Sequence, residues 1–335
     1  MTVQPKPRAA RRRLLGSLAA FAAATTLSPG ARAQAWPAGK PIRLVIPSGA
    51  GGGSDLFARP MAEYFGKELG TQVIVDNKPG ANGLLAAEQV SRQPPDGLTL
   101  LISYTAATVG NKLTMLRPLI DPVGDLTPIG LISGGGGNLI VVNPELPVRN
   151  LKELVEYAKT RRDLSYGSWG IGSGGHLVME SIKVQTGMQI NHVPYKTVAQ
   201  MPPDIISGVI PVAFIDSATP MPHIRSGRIR AIAAASAVRL PQLPDVPTVS
   251  EQGLKLDAFP WYGLFGPKGM PKDLVERFNG LLNRWLVLPE TAAFFEQKQN
   301  SPAPKPATAA EFDRLIQSDL TSWKRLVDGA GLKPE

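Results

Sequence analysis

The sequence predicts an α/β protein built in two lobes, each a mostly parallel sheet flanked by helices. Three observations carry that prediction. At 335 residues the chain is too long for one ordinary hydrophobic core, so two units are expected. From Lys40 onward, short apolar runs alternate with helical periodicity, which is the pattern of parallel sheets with crossover helices. One design, a strand, a glycine-rich loop and then a helix, occurs twice: at 42–69 and at 164–185.

The bulk composition agrees. Hydrophobic residues make up 43% and charged residues 19%, and the 34 glycines and 32 prolines are scattered through apolar runs, which indicates many turns rather than disorder. There is no cysteine, so neither a disulfide framework nor a thiolate metal site can form. The first 33 residues read as an export signal, with Arg11, Arg12 and Arg13 in front, an alanine-rich apolar stretch over 14–27, and Ala31-Arg32-Ala33 as a small-x-small cleavage site. Cleavage after Ala33 leaves Gln34 as the mature start and places the protein in the periplasm. The apolar stretch is too short and too alanine-rich to span a membrane. Arg12-Arg13-Leu14-Leu15 resembles a weak twin-arginine signal, so both export routes stay open, and the absence of cysteine at the cleavage site excludes a bacterial lipid anchor.

The signal carries six of the 36 basic residues and no acidic one, so the mature chain holds 30 basic against 27 acidic residues, a net +3. The mature basic residues are dispersed, without a basic stripe interleaved with aromatics, which argues against nucleic-acid binding.

In chain order, strand Ile42–Ile46 runs into Pro47-Ser48-Gly49-Ala50-Gly51-Gly52-Gly53-Ser54-Asp55 and a helix over 56–69. A tight strand-to-helix turn needs one or two glycines; this loop has four. With Ser54 or Asp55 as cap, its N–H groups and the helix dipole converge on one point, which suits an anion. A strand over 73–76, a helix over 84–92 and a strand over 98–103 follow. The last opens into Tyr104 and Thr105 at a strand's C-terminal end, the edge where open α/β sheets hold ligands. After a run over 126–132, the glycines at 134–137 and a strand over 139–142 mark the crossing into a second lobe. Asn150 is expected to cap a helix over 151–160. Then Ser168-Trp169-Gly170-Ile171-Gly172-Ser173-Gly174-Gly175-His176 repeats the opening design ahead of a helix over 177–185. Strands at 190–193, 209–215 and 229–235 lead to a proline-rich connector at 241–247, a return crossing at 261–267, and helices over 272–286, 289–298 and 309–329. Lobe 1 is expected to comprise 34–135 and 262–335, and lobe 2 to comprise 136–261, with the two glycine loops facing across a cleft.

The same residues bear on enzyme readings. Gly170 to Gly175 fits G-x-G-x-x-G, but no acid follows about 20 residues on, where Asn191-His192-Val193-Pro194-Tyr195-Lys196 stands, so a dinucleotide site lacks its partner. The first loop has no Walker lysine. The three histidines, His176, His192 and His223, show no metal-ligand spacing. A Ser–His–Asp hydrolase stays open on spacing, although no G-x-S-x-G surrounds Ser54, Ser168 or Ser173. Asp216 ends an apolar run and reads equally as a cap for the turn at 217–220 or as a polar pocket group. Trp169 sits in a glycine loop with nothing else large nearby and is a candidate to stack on a ligand.

Several stretches taken together resemble the Bug-type (tripartite tricarboxylate transporter) periplasmic substrate-binding proteins over nearly the whole mature length. They are Lys40-Pro41-Ile42-Arg43-Leu44-Val45-Ile46-Pro47, Gly51-Gly52-Gly53-Ser54-Asp55, Val75-Asp76-Asn77-Lys78-Pro79-Gly80-Ala81, His192-Val193-Pro194-Tyr195-Lys196, Leu243-Pro244-Asp245-Val246-Pro247-Thr248 and Gly263-Leu264-Phe265-Gly266-Pro267. The resemblance implies a Venus-flytrap fold of the periplasmic-binding-protein class. It implies a non-catalytic receptor that closes around a small organic acid, including aromatic acids and dicarboxylates, and serves a membrane permease or sensor. The alternative is a periplasmic enzyme acting on a carboxylated substrate. No metal or other cofactor is expected, and the receptor is expected to be a monomer.

By position, the resemblance places the ligand among Ser48, Gly49, Ala50, Gly51, Gly53, Ser54 and Asp55 in the first loop. From the second loop it adds Ser168, Trp169, Gly170, Gly172, Ser173 and His176, together with Asp216, while Tyr104 and Thr105 join the candidate ligand-binding set from their place at a strand's C-terminal end. Asn77 and Tyr195 match family positions expected to hold loops. The chain departs from the family at Ser48, where an aromatic is usual, and at Trp169, where a small residue is usual, so bulk has moved from the first loop to the second.

Overall fold

The computed structural model describes residues 36–329 apart from 38, 135, 257 and 300–302, together with Met1 and Gly331. Beyond its first residue, the export segment expected over 1–33, with its cleavage site, lies outside the described residues.

The described strands form two five-stranded sheets. The first contains β1 (Ile42–Ile46), β2 (Val73–Asn77), β3 (Thr99–Tyr104), β4 (Leu126–Ser133) and β10 (Tyr262–Pro267), in the order β2-β1-β3-β10-β4. The second contains β5 (Gly136–Val142), β6 (Ser165–Ser168), β7 (Asn191–Pro194), β8 (Val212–Asp216) and β9 (Arg230–Ser236), in the order β7-β6-β8-β5-β9. The architecture is two α/β lobes, as expected.

Each sheet carries one reversed strand. β10 pairs antiparallel with β3 and β4, and β5 pairs antiparallel with β8 and β9. The reason is topological. β10 and β5 are the strands by which the chain enters each lobe, so each starts at the crossing and runs away from it. Tyr262 at the start of β10 pairs with Tyr104 and Ser133 at the ends of β3 and β4. Likewise Asn138, near the start of β5, pairs with Asp216 at the end of β8. The C-terminal edges of both sheets therefore meet at the crossings, and the loops after β1, β3, β6 and β8 stand along the cleft between them. The segment at 261–267, expected as a bare crossing, is a central strand, because its Gly-Leu-Phe-Gly run is buried between β3 and β4. The glycines at 136 and 137 likewise belong to a strand.

The helices that matter for the cleft are α1 (Gly53–Leu69), α2 (Gly174–Thr186), α3 (Met221–Arg225) and α4 (Ala309–Gly329). The first two each start three residues earlier than the periodicity predicted. Ser54 and Asp55 consequently lie in the first turn of α1 rather than at its cap, which is Gly52 and carries no side-chain cap bond. α2 is capped by Ser173, whose Oγ accepts from the His176 N–H at 3.2 Å.

Two cores hold the lobes. Ile42, Leu44 and Ile46 of β1 pack with Phe57, Phe65 and Phe278 in the first, and Ile140, Tyr166, Ile182 and Phe214 pack in the second. A third cluster bridges them: Trp323 and Val327 of α4 share buried contacts with Leu177 of α2 and with Trp261 at the return crossing.

Candidate functional site

The first loop is held from behind. Asp55, only 3% exposed, accepts from the Gly51 N–H (2.9 Å), from Arg59 through Nε (2.8 Å) and a terminal nitrogen (2.9 Å), and from Asn77 Nδ2 (3.2 Å). Burial alone would raise its pKa, but the Arg59 guanidinium and these donors outweigh that and keep the carboxyl below its usual range. Asn77 also donates to the Ser48 carbonyl at 2.8 Å, so it holds the loop. The Asp55 carboxylate is thus spent on loop support.

The open face of this loop is backbone. A Cβ built on Gly49 or Gly51 would meet no atom within 4 Å, and Ala50 is exposed. Among the described residues the N–H groups of Gly53 and Ser54, the first two of α1, find no acceptor, as expected at a helix start. Among the described residues the Ser54 hydroxyl likewise finds no partner, and Ser48 Oγ is buried without one.

The second loop has the same open face and a different support. Positions 170 and 172 are open to a Cβ in space, and the N–H groups of Gly174 and Gly175 find no acceptor among the described residues. Gly172 has φ of +71°, a conformation that favours glycine, and its N–H donates to His176 Nδ1 at 3.1 Å. His176 stacks on His192 with ring centroids 4.1 Å apart, and His192 Nε2 is 2.7 Å from Ser168 Oγ. Ser168, fully buried, also lies 3.3 Å from Ser173 Oγ.

Burial first, and then the neighbouring His176 ring, lower the His192 pKa from 6.5 to about 4, against a smaller opposite effect of Glu180. His176 is lowered by burial, with Glu180 opposing. Both rings are therefore neutral at ordinary pH, and the pair is a buried brace beneath the loop. Tyr195 belongs to the same support, since its N–H donates to the Ser168 carbonyl at 2.8 Å and its hydroxyl to Asp204 at 2.6 Å. Trp169 is not alone in its loop: its ring lies 5.6 Å from Phe214 and packs on both apolar clusters of the second lobe, leaving part of it exposed. Ile171 at the loop tip is 73% exposed.

Between the loops lie Tyr104, Tyr262 and Asp216. Asp216 Oδ1 accepts from the N–H groups of Ala218 (3.0 Å) and Thr219 (2.8 Å), so the turn-cap reading is correct for that oxygen. Oδ2 has no hydrogen-bond partner among the described residues. The carboxylate also lies close enough to Tyr262, across the cleft, to help raise its pKa, behind burial and Tyr104. Burial lifts Tyr104 to about 12. Both phenols stay protonated and can donate.

The Tyr104 hydroxyl reaches Asn82 at 3.1 Å, whereas that of Tyr262 makes no hydrogen bond among the described residues. A Cβ on Gly53 would lie 2.3 Å from the Tyr262 oxygen, which places this hydroxyl against the start of α1. Thr105 points elsewhere: its Oγ accepts from the Trp261 N–H at 2.7 Å and clamps the crossing. Sequence reasoning missed Tyr262, because 261–267 read as a crossing, and His192, because its ring arrives from a separate strand. Among the described residues no group of three or more His, Cys, Asp or Glu is placed to hold a metal.

Two α/β lobes joined by crossings, with helix starts gathered at the seam, define a binding protein of the periplasmic type. A family profile described as "Tripartite tricarboxylate transporter family receptor" matches residues 57–332, and the chain belongs to that family. A UPF0065 protein of Bordetella pertussis is 32% identical over 309 residues, covering 91% of this chain and 94% of that one. The structure of R. palustris Rpa4515 with adipate superposes with a TM-score of 0.78 at 30% identity, over 90% of this chain and all of its own. The periplasmic binding protein BugD gives a TM-score of 0.75 at 30% identity, over 88% and 99%.

Proposed function

We propose that the protein is an exported, non-catalytic receptor that closes around one small organic acid and delivers it to a tripartite-type permease or to a sensor. Lobe 1 is formed by 34–135 and 262–335, and lobe 2 by 136–261. The observation that carries this reading is the pair of unfilled helix starts at the seam, Gly53–Ser54 on one side and Gly174–Gly175 on the other. Four backbone donors and two helix dipoles can hold one carboxylate without a lysine or arginine, and neither glycine loop carries a cationic side chain. The Tyr262 and Ser54 hydroxyls add donors, and Asp216 Oδ2 offers an acceptor to a hydroxyl or amine on the ligand. The adipate held by Rpa4515 is the kind of ligand this arrangement suits.

One observation favours the enzyme alternative, the 2.7 Å contact between Ser168 and His192. Ser168 is fully buried and also engaged with Ser173, so its oxygen has no approach to a substrate carbonyl, and the receptor reading is preferred. The test is a thermal-shift screen of organic acids on the purified protein, followed by mass spectrometry of the stabilising acid. A receptor gains stability by mass action and returns the acid unchanged. Turnover of the acid would overturn the assignment.

A further inference from the structure

The turn that follows β2 runs through four successive residues of positive φ: Gly80 (+133°), Ala81 (+46°), Asn82 (+47°) and Gly83 (+88°). Residues with a side chain rarely adopt such values, as Ala81 and Asn82 do here, and they persist only where the surroundings hold them. Asn111, 2% exposed at the start of the short helix Asn111–Thr114, supplies that hold. Its Nδ2 donates to the carbonyls of Asn82 and Ala107, both at 3.0 Å.

Those two bonds settle the direction of a whole chain of hydrogen bonds. Both partners are backbone acceptors, so the Asn111 amide has a single orientation, with Oδ1 turned toward Asn82. Asn82 then presents Nδ2 to that oxygen, at 2.9 Å. This leaves Asn82 Oδ1 facing the Tyr104 hydroxyl at 3.1 Å. A carbonyl oxygen only accepts, so the phenolic proton lies in this bond.

The consequence reaches the cleft. Tyr104 is half-buried, with its ring 6.0 Å from that of Tyr262, whose hydroxyl stands against the start of α1. Its bond to Asn82 is open to solvent, and its oxygen makes no second hydrogen bond among the described residues. The two neighbouring phenols therefore differ in sign. Tyr262 has a proton to give to a carboxylate, whereas Tyr104 has already given its own and offers lone pairs.

We propose that Asn82 and Asn111 are positioning residues that commit the Tyr104 proton away from the cleft, so that Tyr104 accepts from the ligand and the receptor selects acids bearing a hydroxyl near the bound carboxylate. The proposal rests on the receptor reading above and narrows its ligand class. An acid without the hydroxyl strips water from the Tyr104 oxygen and puts no donor in its place, which costs affinity.

The test is isothermal titration of the purified protein with hexanoate against 2- and 3-hydroxyhexanoate, and with adipate against 2- and 3-hydroxyadipate. The wild type is expected to bind the better hydroxy acid of each set roughly two- to tenfold tighter than the parent acid. Tyr104→Phe removes the accepting oxygen and is expected to abolish the preference. Asn82→Gly keeps the positive φ of the turn and keeps Tyr104, but frees its proton to turn into the cleft. In that variant the hydroxy acid is expected to bind more weakly while the parent acid binds no worse. Equal weakening of both acids would show a merely structural role for Asn82 and overturn its assignment. Should Asn82→Gly fail to give a cooperative melt, Tyr104→Phe decides the question. A preference that survives Tyr104→Phe, or that is lost only in Asp216→Asn, would overturn the proposal. Equal binding of hydroxy and parent acids by the wild type would do the same and leave the receptor reading standing. Failure of every acid to bind would overturn both.

Discussion

The substitution Gly53→Ala tests whether the Tyr262 hydroxyl closes on the start of α1. The new methyl would sit 2.3 Å from the Tyr262 oxygen and 3.3 Å from Cζ. The first distance is far inside van der Waals contact, and the second is tight but tolerable. Overpacking of this kind costs about 1–3 kcal/mol, while alanine's helix propensity returns up to about 1 kcal/mol relative to glycine. The net expectation is a loss of about 0–3 kcal/mol in stability, with a larger loss in acid affinity, since the displaced hydroxyl and the crowded N–H groups belong to the same spot.

Tyr262→Phe removes the clashing atom and leaves only the tolerable contact. Gly53→Ala in that background is then expected to be neutral or stabilising, by up to about 1 kcal/mol. The coupling between the two substitutions, read from chemical unfolding of all four proteins, therefore comes to about 1–3 kcal/mol. Additive effects, or a single Gly53→Ala variant that binds acid as well as the wild type, would show that Tyr262 does not stand over the helix start.

Asp55→Asn is expected to cost about 1.5–3 kcal/mol near neutral pH, since it removes a buried charged acceptor from Arg59 and the Gly51 N–H. The native carboxyl titrates below its ordinary 3.8, so its contribution is full above that value and is lost as pH falls through the lower folded value. The stability gap between wild type and variant should close in acid. His192→Gln should flatten a different window. With its pKa lowered from 6.5 to about 4, the ring favours folding least when protonated, so wild-type stability is full above 6.5 and falls toward 4; melting temperatures of both proteins across that range decide it. Trp169→Ala should change the order of affinities across a panel of aromatic and aliphatic acids, measured by titration calorimetry, and an unchanged order would confine Trp169 to packing on Phe214.

What was legible in the sequence was the part carried by local chemistry. The two strand–glycine–helix units announce themselves through apolar runs ending in loops too rich in glycine for a plain turn, and both stand at strand ends. What was not legible depends on which atoms face which way. Asp55 stands in a ligand-loop motif, yet its four acceptor bonds turn it inward, and no spacing rule distinguishes a carboxylate that faces a ligand from one that faces Arg59. Thr105 is similar, since Trp261, 156 residues away, uses its hydroxyl. The run at 262–267 has the turn-like composition of a crossing and becomes a strand only because β3 and β4 bury it. His192 shows no metal-ligand spacing in the sequence and gains its meaning only from Ser168 and His176.

The two loops present the same backbone face and are stiffened by opposite chemistry. The first leans on an ionised carboxylate paired with a guanidinium, the second on two neutral imidazoles stacked face to face. The difference follows from their surroundings. Arg59 is exposed on α1, where its charge stays hydrated while it reaches Asp55, so an ion pair costs little there. The base of the second loop packs against Tyr166 and the start of α2, and the charge nearby, Glu180, is already matched by Lys183 at 2.8 Å and by the Tyr166 hydroxyl at 2.9 Å, so the stacked rings stay neutral there. Neither support places a cation beside the open N–H groups. Anion binding is left to the backbone itself, whose geometry is set by the fold, and side-chain chemistry at Tyr262, Asp216 and along the walls is free to select which acid is held.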